Sequence, residues 1–194
     1  ARQRARGPSP QARRGMLARM SDPRPARRQP GSALCFVCGT KNQYGLGASF
    51  YDDGREVWTE LTPAEHHQGW PGVLHGGISS AILDETIGRV AFLHDRWVQT
   101  GKLSLRFVKP APLGVPLRAV GRLERNHARL MEMSGELVVA STGELLASAQ
   151  GTFVPLPDAA RAALARQLGG DFEAWERWLG ENRAMRESEP EGRG

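Results

Sequence analysis

Two glycines and a carboxylate in the middle of the chain have the types and spacing of a site for carbonyl chemistry. Gly76 and Gly77 follow His75 at the start of a helix expected over residues 75–93, and Asp84 lies eight residues after Gly76. The first N–H groups of a helix lack intrahelical partners and carry the positive end of the dipole, so they attract a polarised carbonyl oxygen. A carboxylate can act as general base or nucleophile. The stretch therefore predicts an oxyanion site with an acid or base.

The spacing separates Asp84 from Gly76 on one helix. Eight residues give about 12 Å of rise and place Asp84 about 80° around the axis from Gly76. Asp84 therefore cannot touch a small group held at Gly76 of its own helix, but it can reach a site formed with the helix of a second copy. Glu85 lies about 100° further around, on the side of Ile78, and is a candidate second acid. The alternative is that one or both acids pair with Arg89 or cap local hydroxyl groups.

Alternating and apolar patterns around this helix predict the elements that position it. The helix is apolar almost all round, so it must be buried. Extended runs flank it on both sides, at residues 48–51, 55–61, 98–109, 116–126, 130–140 and 144–154. By strict alternation, Thr100 shares a face with Lys102. The fold class is α+β, with an antiparallel sheet wrapped around one long central helix.

Composition divides the chain into three parts. Residues 1–31 carry nine arginines and little to bury, which predicts a disordered basic arm. Residues 32–156 hold the sheet and the helix, and residues 157–194 predict two extra helices, with Asp158 and Asp171 as their N-caps. The second helix has one apolar face, which we expect to dock on its own subunit or on a partner: Phe172, Trp175 and Leu179.

The charge and hydropathy of the chain limit its partners. The formal charge of +5 comes from the arm, so the remainder is mildly acidic. No aromatic residues are interleaved with the arginines to stack on bases, so we expect no nucleic-acid partner. No apolar run approaches the roughly 18 residues of a membrane span, and no secretion signal is evident. We expect a cytoplasmic protein.

Cys35 and Cys38 are the only cysteines, and their Cys-x-x-Cys spacing leaves three possibilities open. A structural loop is favoured. A closed zinc site would need four ligands, and no second cysteine pair is present; His66 and His67 match no finger spacing. A redox motif of the thioredoxin type would need a preceding strand and a following helix, neither of which is evident. We expect neither a metal nor a cofactor.

The motifs together resemble the hotdog-fold acyl-CoA thioesterases of the phenylacetate-degradation (PaaI-like) group. The resemblance spans about residues 35–155. It depends on the Cys-Phe-Val-Cys-Gly segment at 35–39 with Asn42 and Gly45-Leu46, the Gln-Gly-Trp-Pro-Gly-Val-Leu-His-Gly-Gly segment at 68–77, Leu83-Asp84-Glu85, Thr100, and Lys-Pro-Ala-Pro-Leu-Gly at 109–114.

This resemblance implies hydrolysis of an acyl-CoA thioester at a site shared by two subunits. The Gly76 N–H would polarise the thioester carbonyl. The partner subunit's Asp84 would act as nucleophile or general base, and Thr100 would help position the water. The resemblance also implies a homodimer or a dimer of dimers. Further substrate contacts are expected from His75, Gly77 and Gln68.

Two other functions are compatible with the sequence. One is a non-catalytic acyl-CoA-binding hotdog module, a sensor or scaffold whose basic arm binds nucleic acid. The lack of a recognisable helix-turn-helix before Cys35 counts against it. The other is a hotdog dehydratase, whose chemistry calls for a catalytic histidine paired with an acid. His75 lies at the end of a loop rather than in mid-helix, which disfavours it.

Overall fold

Seven strands form one antiparallel sheet in the computed structural model, which describes residues 26–188. The strands are β1 (Arg27–Arg28), β2 (Phe50–Asp52), β3 (Glu56–Leu61), β4 (Val98–Phe107), β5 (Leu117–Asn126), β6 (Met131–Val139) and β7 (Leu145–Pro155). The helices are α1 (Gly76–Gly88), α2 (Asp158–Leu168) and α3 (Gly170–Ser188), with 3-10 turns at Glu65–His67 and Arg89–His94. The order across the sheet is β1-β2-β3-β5-β6-β7-β4, which makes β4 an edge strand.

Two glycines allow α1 to lie close against the centre of the sheet. Gly121 of β5 and Gly135 of β6 stand opposite each other across the strand pair. A Cβ atom at Gly121 would lie 2.8 Å from the Thr86 carbonyl oxygen, and one at Gly135 would lie 2.8 Å from Cγ1 of Ile87. A larger residue at either position would push the helix away from the sheet, so these glycines set the depth of α1.

The predicted α+β fold class, with a central helix and two C-terminal helices, is confirmed. The helix expected over 75–93 is α-helical only to Gly88 and continues as a 3-10 turn. Glycine weakens an α-helix, and 3-10 turns are frequent at helix ends. The turn stops at Asp95, whose φ of 61° is left-handed.

The expected caps of the C-terminal helices are not formed. Pro157 is the N-cap of α2 and makes no side-chain hydrogen bond. Asp171 lies inside α3, because Gly169 is the sole residue between the two helices. The Asp171 carboxylate instead accepts the Ala33 N–H at 2.7 Å, which ties α3 to the loop before β2.

Helix α3 docks on its own subunit through aromatic contacts. Trp175 stacks on Phe92 with ring centroids 4.0 Å apart, and Phe172 stacks on Trp97 at 4.9 Å. Leu179 is fully buried. The helix continues to Ser188. The predicted apolar face is therefore the docking face, and it packs against the 3-10 turn that follows α1.

Part of the predicted basic arm belongs to the sheet. Arg27 and Arg28 pair with β2, and Arg27 Nη2 donates to Asp52 Oδ1 at 2.6 Å and to Asn182 Oδ1 at 2.8 Å. Asp52 is fully buried, and a buried carboxylate requires a cationic partner, which explains why this arginine is held. The rest of the arm, residues 1–25, lies outside the described residues, as do 189–194.

The position of His94 makes the stability of the fold depend on pH. Burial lowers the pKa of His94, and the guanidinium groups of Arg186 and Arg96 lower it further. The folded state therefore favours neutral His94. We expect the free energy of unfolding to be undiminished above the unfolded-state pKa of about 6.5 and to fall as the pH drops below it.

Urea unfolding of the wild type and of His94→Gln, at about pH 7.5 and about pH 5.5, measures this effect, since the variant lacks the titrating group. The variant should lose less stability between the two pH values. An equal loss in both proteins would contradict the assignment.

No helix among residues 26–188 combines the length and the apolar character required to cross a bilayer.

Candidate active site

The His75 side chain sets the hydrogen bonding at the start of α1. His75 is the N-cap, and its Nδ1 accepts the Gly77 N–H at 2.9 Å. The Gly76 N–H has no hydrogen-bond partner among residues 26–188. Of the two glycines, only Gly76 therefore keeps a donor to offer a ligand, at the positive end of the helix dipole. Gly77 supplies its N–H to the cap instead.

The loop before α1 is held in place by its own hydrogen bonds. Gln68 Oε1 accepts the Gly72 N–H at 2.9 Å, and the His75 N–H donates to the His67 carbonyl at 2.9 Å. A Cβ atom at Gly69 would lie 3.1 Å from Cα of His75, so the loop passes close to the cap. In this structure the Gln68 side-chain oxygen shapes the loop, rather than standing open towards a substrate.

Asp84 and Thr100 form a hydrogen-bonded pair. Thr100 Oγ1 donates to Asp84 Oδ1 at 2.8 Å. Burial raises the pKa of Asp84; the Thr100 hydrogen bond opposes this increase, and the negative charge of Glu85 adds to it. A half-buried carboxylate with a raised pKa and one oxygen already hydrogen-bonded is suited to accept a proton on its other oxygen.

A β-bulge turns Thr100 towards α1. The pairing of β4 with β7 shifts between Thr100 and Lys102, so Gly101 is the extra residue. Thr100 therefore pairs with buried Phe153 and lies on the helix-facing side of the sheet, not on the face of Lys102 that strict alternation predicts. The alternation prediction for Thr100 was wrong because one inserted residue reverses the faces. A glycine inside a strand pattern marks a position where a bulge can form, but it does not show that one does.

Glu85 points away from Asp84 and Thr100. Its Oε1 forms an ion pair with Arg89 Nε at 2.9 Å, the pairing kept as an alternative above. Arg89 is buried, donates to the Pro30 carbonyl at 2.9 Å, and lies over the Phe50 ring. Neighbouring acids on one helix therefore have different surroundings: Asp84 faces β4, and Glu85 faces the loop between β1 and β2.

Phe107, at the end of β4, marks the Gly76 end of the site. Its ring carbon Cζ lies 3.5 Å from the Cβ position of Gly76, yet the side chain is 57% exposed. Trp70 and Val108 are also exposed apolar residues of the neighbouring segments. Alternation groups Phe107 with Leu103 and Leu105 as a core position, so the sequence alone does not indicate a site residue there.

Two cavities among the described residues lie away from Gly76 and Asp84. A groove of about 670 Å³ has Tyr51, Trp58 and His67 among its lining residues, and a second cavity, of about 260 Å³, lies under the loop that contains Cys38. Neither is lined by Gly76 or Asp84. Edge strand β4 connects these two residues instead, since Thr100 contacts Asp84 near one end and Phe107 reaches Gly76 at the other.

An antiparallel sheet wrapped around one helix, whose glycine-rich N-terminus faces an edge strand, defines the hotdog class of proteins. Residues 71–146 match the family model of the Thioesterase superfamily. The predicted resemblance to PaaI-like hotdog thioesterases is confirmed by this match and by the shared fold.

Known proteins show how far the similarity extends. The chain is 33% identical over 112 residues to acyl-coenzyme A thioesterase THEM4 of Rattus norvegicus, an alignment that covers 56% of this chain and 47% of that protein. The chain therefore spans about half the length of this curated relative.

Two solved structures share the fold. The crystal structure of a thioesterase superfamily protein aligns with a TM-score of 0.59 and 25% identity, covering 74% of this chain and 75% of the other. The E. coli PaaI protein from the phenylacetic acid degradation operon aligns with a TM-score of 0.54 over 58% of this chain and 81% of its own. At 16% identity, the PaaI likeness concerns the fold alone.

Proposed function

We propose that this protein hydrolyses an acyl-CoA thioester to the free acid and CoA. The observation that carries the proposal is the Gly76 N–H, which has no partner among residues 26–188 at the N-terminus of the central helix of a thioesterase-superfamily fold. The similarity to rat acyl-coenzyme A thioesterase THEM4 supports the substrate class.

In the proposed reaction, Gly76 and Asp84 act on opposite sides of one carbonyl group. The Gly76 N–H donates to the thioester oxygen, and a preorganised donor of this kind stabilises the oxyanion by about 3–4 kcal/mol. Asp84 accepts a proton from water on Oδ2, because Thr100 occupies Oδ1. The water oxygen bonds to the carbonyl carbon, the C–S bond breaks, and the CoA sulfur takes up a proton. Direct attack by Asp84 is the alternative.

We propose that the site forms between two subunits paired through β4. This ten-residue strand pairs with β7 on one side and with no strand of residues 26–188 on the other. A long unpaired edge is a template for a second copy. Antiparallel pairing about a two-fold axis places the Phe107 end of one strand beside the Thr100 end of the other. Gly76 of one subunit then approaches the partner subunit's Asp84.

The surface of β4 also suggests how CoA is held. Lys102 and Arg106 are exposed on its outward face, where they can meet the phosphates of CoA. Lys109, a third candidate, pairs with Glu144. We propose a cytoplasmic location, because the free thiols of Cys35 and Cys38 are typical of a reducing compartment. We also propose a homodimer or a dimer of dimers, because the proposed site uses residues of two subunits. The reaction itself requires neither a metal nor a cofactor.

Release of free thiol from acyl-CoAs of short, long and aromatic acyl groups tests the proposal. We expect at least one of these acyl-CoAs to be hydrolysed, with one free thiol released for each thioester that is lost. Binding of acyl-CoA without turnover of any member would contradict the hydrolase and favour the acyl-CoA-binding module. Salt-dependent DNA binding that disappears on removal of residues 1–31 would support that alternative further.

A further inference from the structure

The segment between β1 and β2 needs a constraint that its secondary structure does not supply. Residues 29–49 contain turns but neither helix nor strand. Irregular segments of this length are uncommon inside compact domains. Nevertheless, Cys38 is buried within it, and Val37 and Ala48 belong to the core. Something therefore holds this segment against the body of the protein.

The Cys-x-x-Cys turn is shaped so that both sulfur atoms receive backbone N–H groups. Val37 N–H donates to Cys35 Sγ and Ser32 N–H donates to Cys38 Sγ, each at 3.4 Å. The turn closes with the Gly39 N–H on the Cys35 carbonyl at 2.9 Å. A Cβ atom at Gly39 would lie 2.3 Å from that carbonyl oxygen, so the turn accepts only glycine there. N–H groups aimed at sulfur stabilise the thiolate form, which is the form that binds metals.

Helix α1 supplies a third ligand group to the two sulfurs. Glu85 Oε2 lies 3.9 Å from Cys35 Sγ, and one oxygen of Glu85 and both sulfurs lie within 4.8 Å of one another. Arg89 holds the other oxygen, Oε1, at 2.9 Å, which fixes the orientation of the carboxylate. The carboxylate thus faces the cysteines, and the cluster joins the loop to the central helix.

We propose that Cys35, Cys38 and Glu85 bind one zinc ion, with water as the fourth ligand. Two thiolates and a carboxylate favour Zn²⁺ over the hard cations Mg²⁺ and Ca²⁺. Two thiolates and a carboxylate carry three negative charges, which Zn²⁺ and the guanidinium of Arg89 together neutralise. Each protein ligand needs only a small inward movement to reach the usual distances of about 2.0–2.3 Å from zinc.

The surroundings provide a place for the water ligand. The cavity of about 260 Å³ beside the cluster is lined by Cys38, Arg89 and Gln29, among others. Cys38 is the proposed ligand that lines this cavity, so the water ligand is placed on the Cys38 side of the zinc.

The proposed zinc site is structural and separate from thioester hydrolysis. It ties an irregular segment to α1 one residue after Asp84, on the opposite side from Thr100. The cysteine spacing alone argued against a metal because the third proposed ligand, Glu85, lies on a helix fifty residues after Cys35. The proposal departs from the expectation of no metal, because it assigns a structural zinc ion to the fold.

The metal content of the full chain, purified under reducing conditions without chelator, tests the proposal. We expect one zinc per chain, released when the thiols of the wild-type protein are alkylated. Replacement by Co²⁺ should give the thiolate-to-cobalt charge-transfer absorption that only sulfur ligation produces. Neither readout depends on enzymatic activity, so failure of this proposal is distinguishable from failure of the proposed hydrolase.

Variants identify the ligands. Cys38→Ser should abolish the charge-transfer band or greatly weaken it, and Glu85→Gln should lower the Co²⁺ affinity at least about tenfold. Glu181→Gln, an exposed residue of α3, is the matched control and should bind as the wild type does. Wild-type protein that is metal-free and gives no such band with Co²⁺ would overturn the proposal. A disulfide between Cys35 and Cys38 in the reduced preparation would overturn it too.

Discussion

Replacing Asp84 by asparagine is expected to lower kcat/KM for acyl-CoA hydrolysis by about 10²–10⁴-fold, the contribution of a positioned general base. Asparagine has the same size, and its side-chain oxygen can still accept the Thr100 hydroxyl. It cannot take a proton from water or attack the thioester. The variant should therefore fold and bind substrate, with the loss in kcat rather than in KM. Initial rates of thiol release over a range of substrate concentrations measure this.

Asp158→Asn is the matched control. Asp158 is exposed at the start of α2 and makes no capping hydrogen bond, so the same chemical change there should leave the rate unaltered. The assignment of Asp84 would be wrong if Asp84→Asn kept full activity while Glu85→Gln lost it. Such a result would assign the catalytic carboxylate to Glu85 instead of Asp84 and would leave the proposed thioester hydrolysis unchanged.

Replacing Gly76 by proline is expected to lower kcat by about 10²–10³-fold, the usual cost of losing one oxyanion donor. Proline removes the N–H and nothing else that the fold uses. It is well tolerated at the first position of a helix, where the N–H has no partner. The preceding residue, His75, has φ −59° and ψ 132°, a conformation that proline allows before it. The His75 cap on Gly77 is kept.

Gly76→Ala separates the loss of the donor from the loss of the glycine. Alanine keeps the N–H, and its Cβ would lie 3.5 Å from the Phe107 ring, an ordinary contact. We expect this variant to retain most of the activity. Equal losses in Gly76→Pro and Gly76→Ala would show that space, not the N–H, matters at this position. Thermal unfolding of both variants checks that the helix is intact.

The same two inactive variants test the shared site when they are combined. In a mixed dimer of one Gly76→Pro chain and one Asp84→Asn chain, one site has both changes and the other has neither. Isolated mixed dimers should therefore regain about half of the wild-type activity. A site built within one chain predicts no recovery, because every site then lacks either Gly76 N–H or Asp84. Co-expression with two affinity tags provides the mixed dimer.

Local patterns were sufficient for the fold. Alternation located the four strands after the helix to within two residues at each end, and the uniformly apolar helix could only lie inside a sheet. The relation between Gly76 and Asp84 was also predictable locally, because the rise and rotation of one helix place the two residues too far apart to contact the same small group within one chain. These features depend on neighbours in the sequence or on a regular repeat.

The features that could not be predicted depend on contacts between distant segments. The bulge at Gly101 reverses the face of Thr100, and no periodic pattern records one inserted residue. Asp171 bonds to Ala33 across the fold rather than capping its own helix. Likewise, Glu85 meets Cys35 only because the loop folds back onto α1. In each case tertiary packing overrode a local preference.

The hydrogen bonds of Arg27 make the two terminal extensions of the chain depend on each other. Arg27 joins Asp52 of β2 to Asn182 of α3, and both lie outside the superfamily match at residues 71–146. Shortening the chain at either end to the matched region would break this bridge. A chain starting at residue 32 would leave the buried Asp52 carboxylate without its cation, and one ending at residue 156 would uncover the aromatic face that α3 protects. The smallest part of this chain that keeps these contacts is therefore longer than the region that matches the superfamily model.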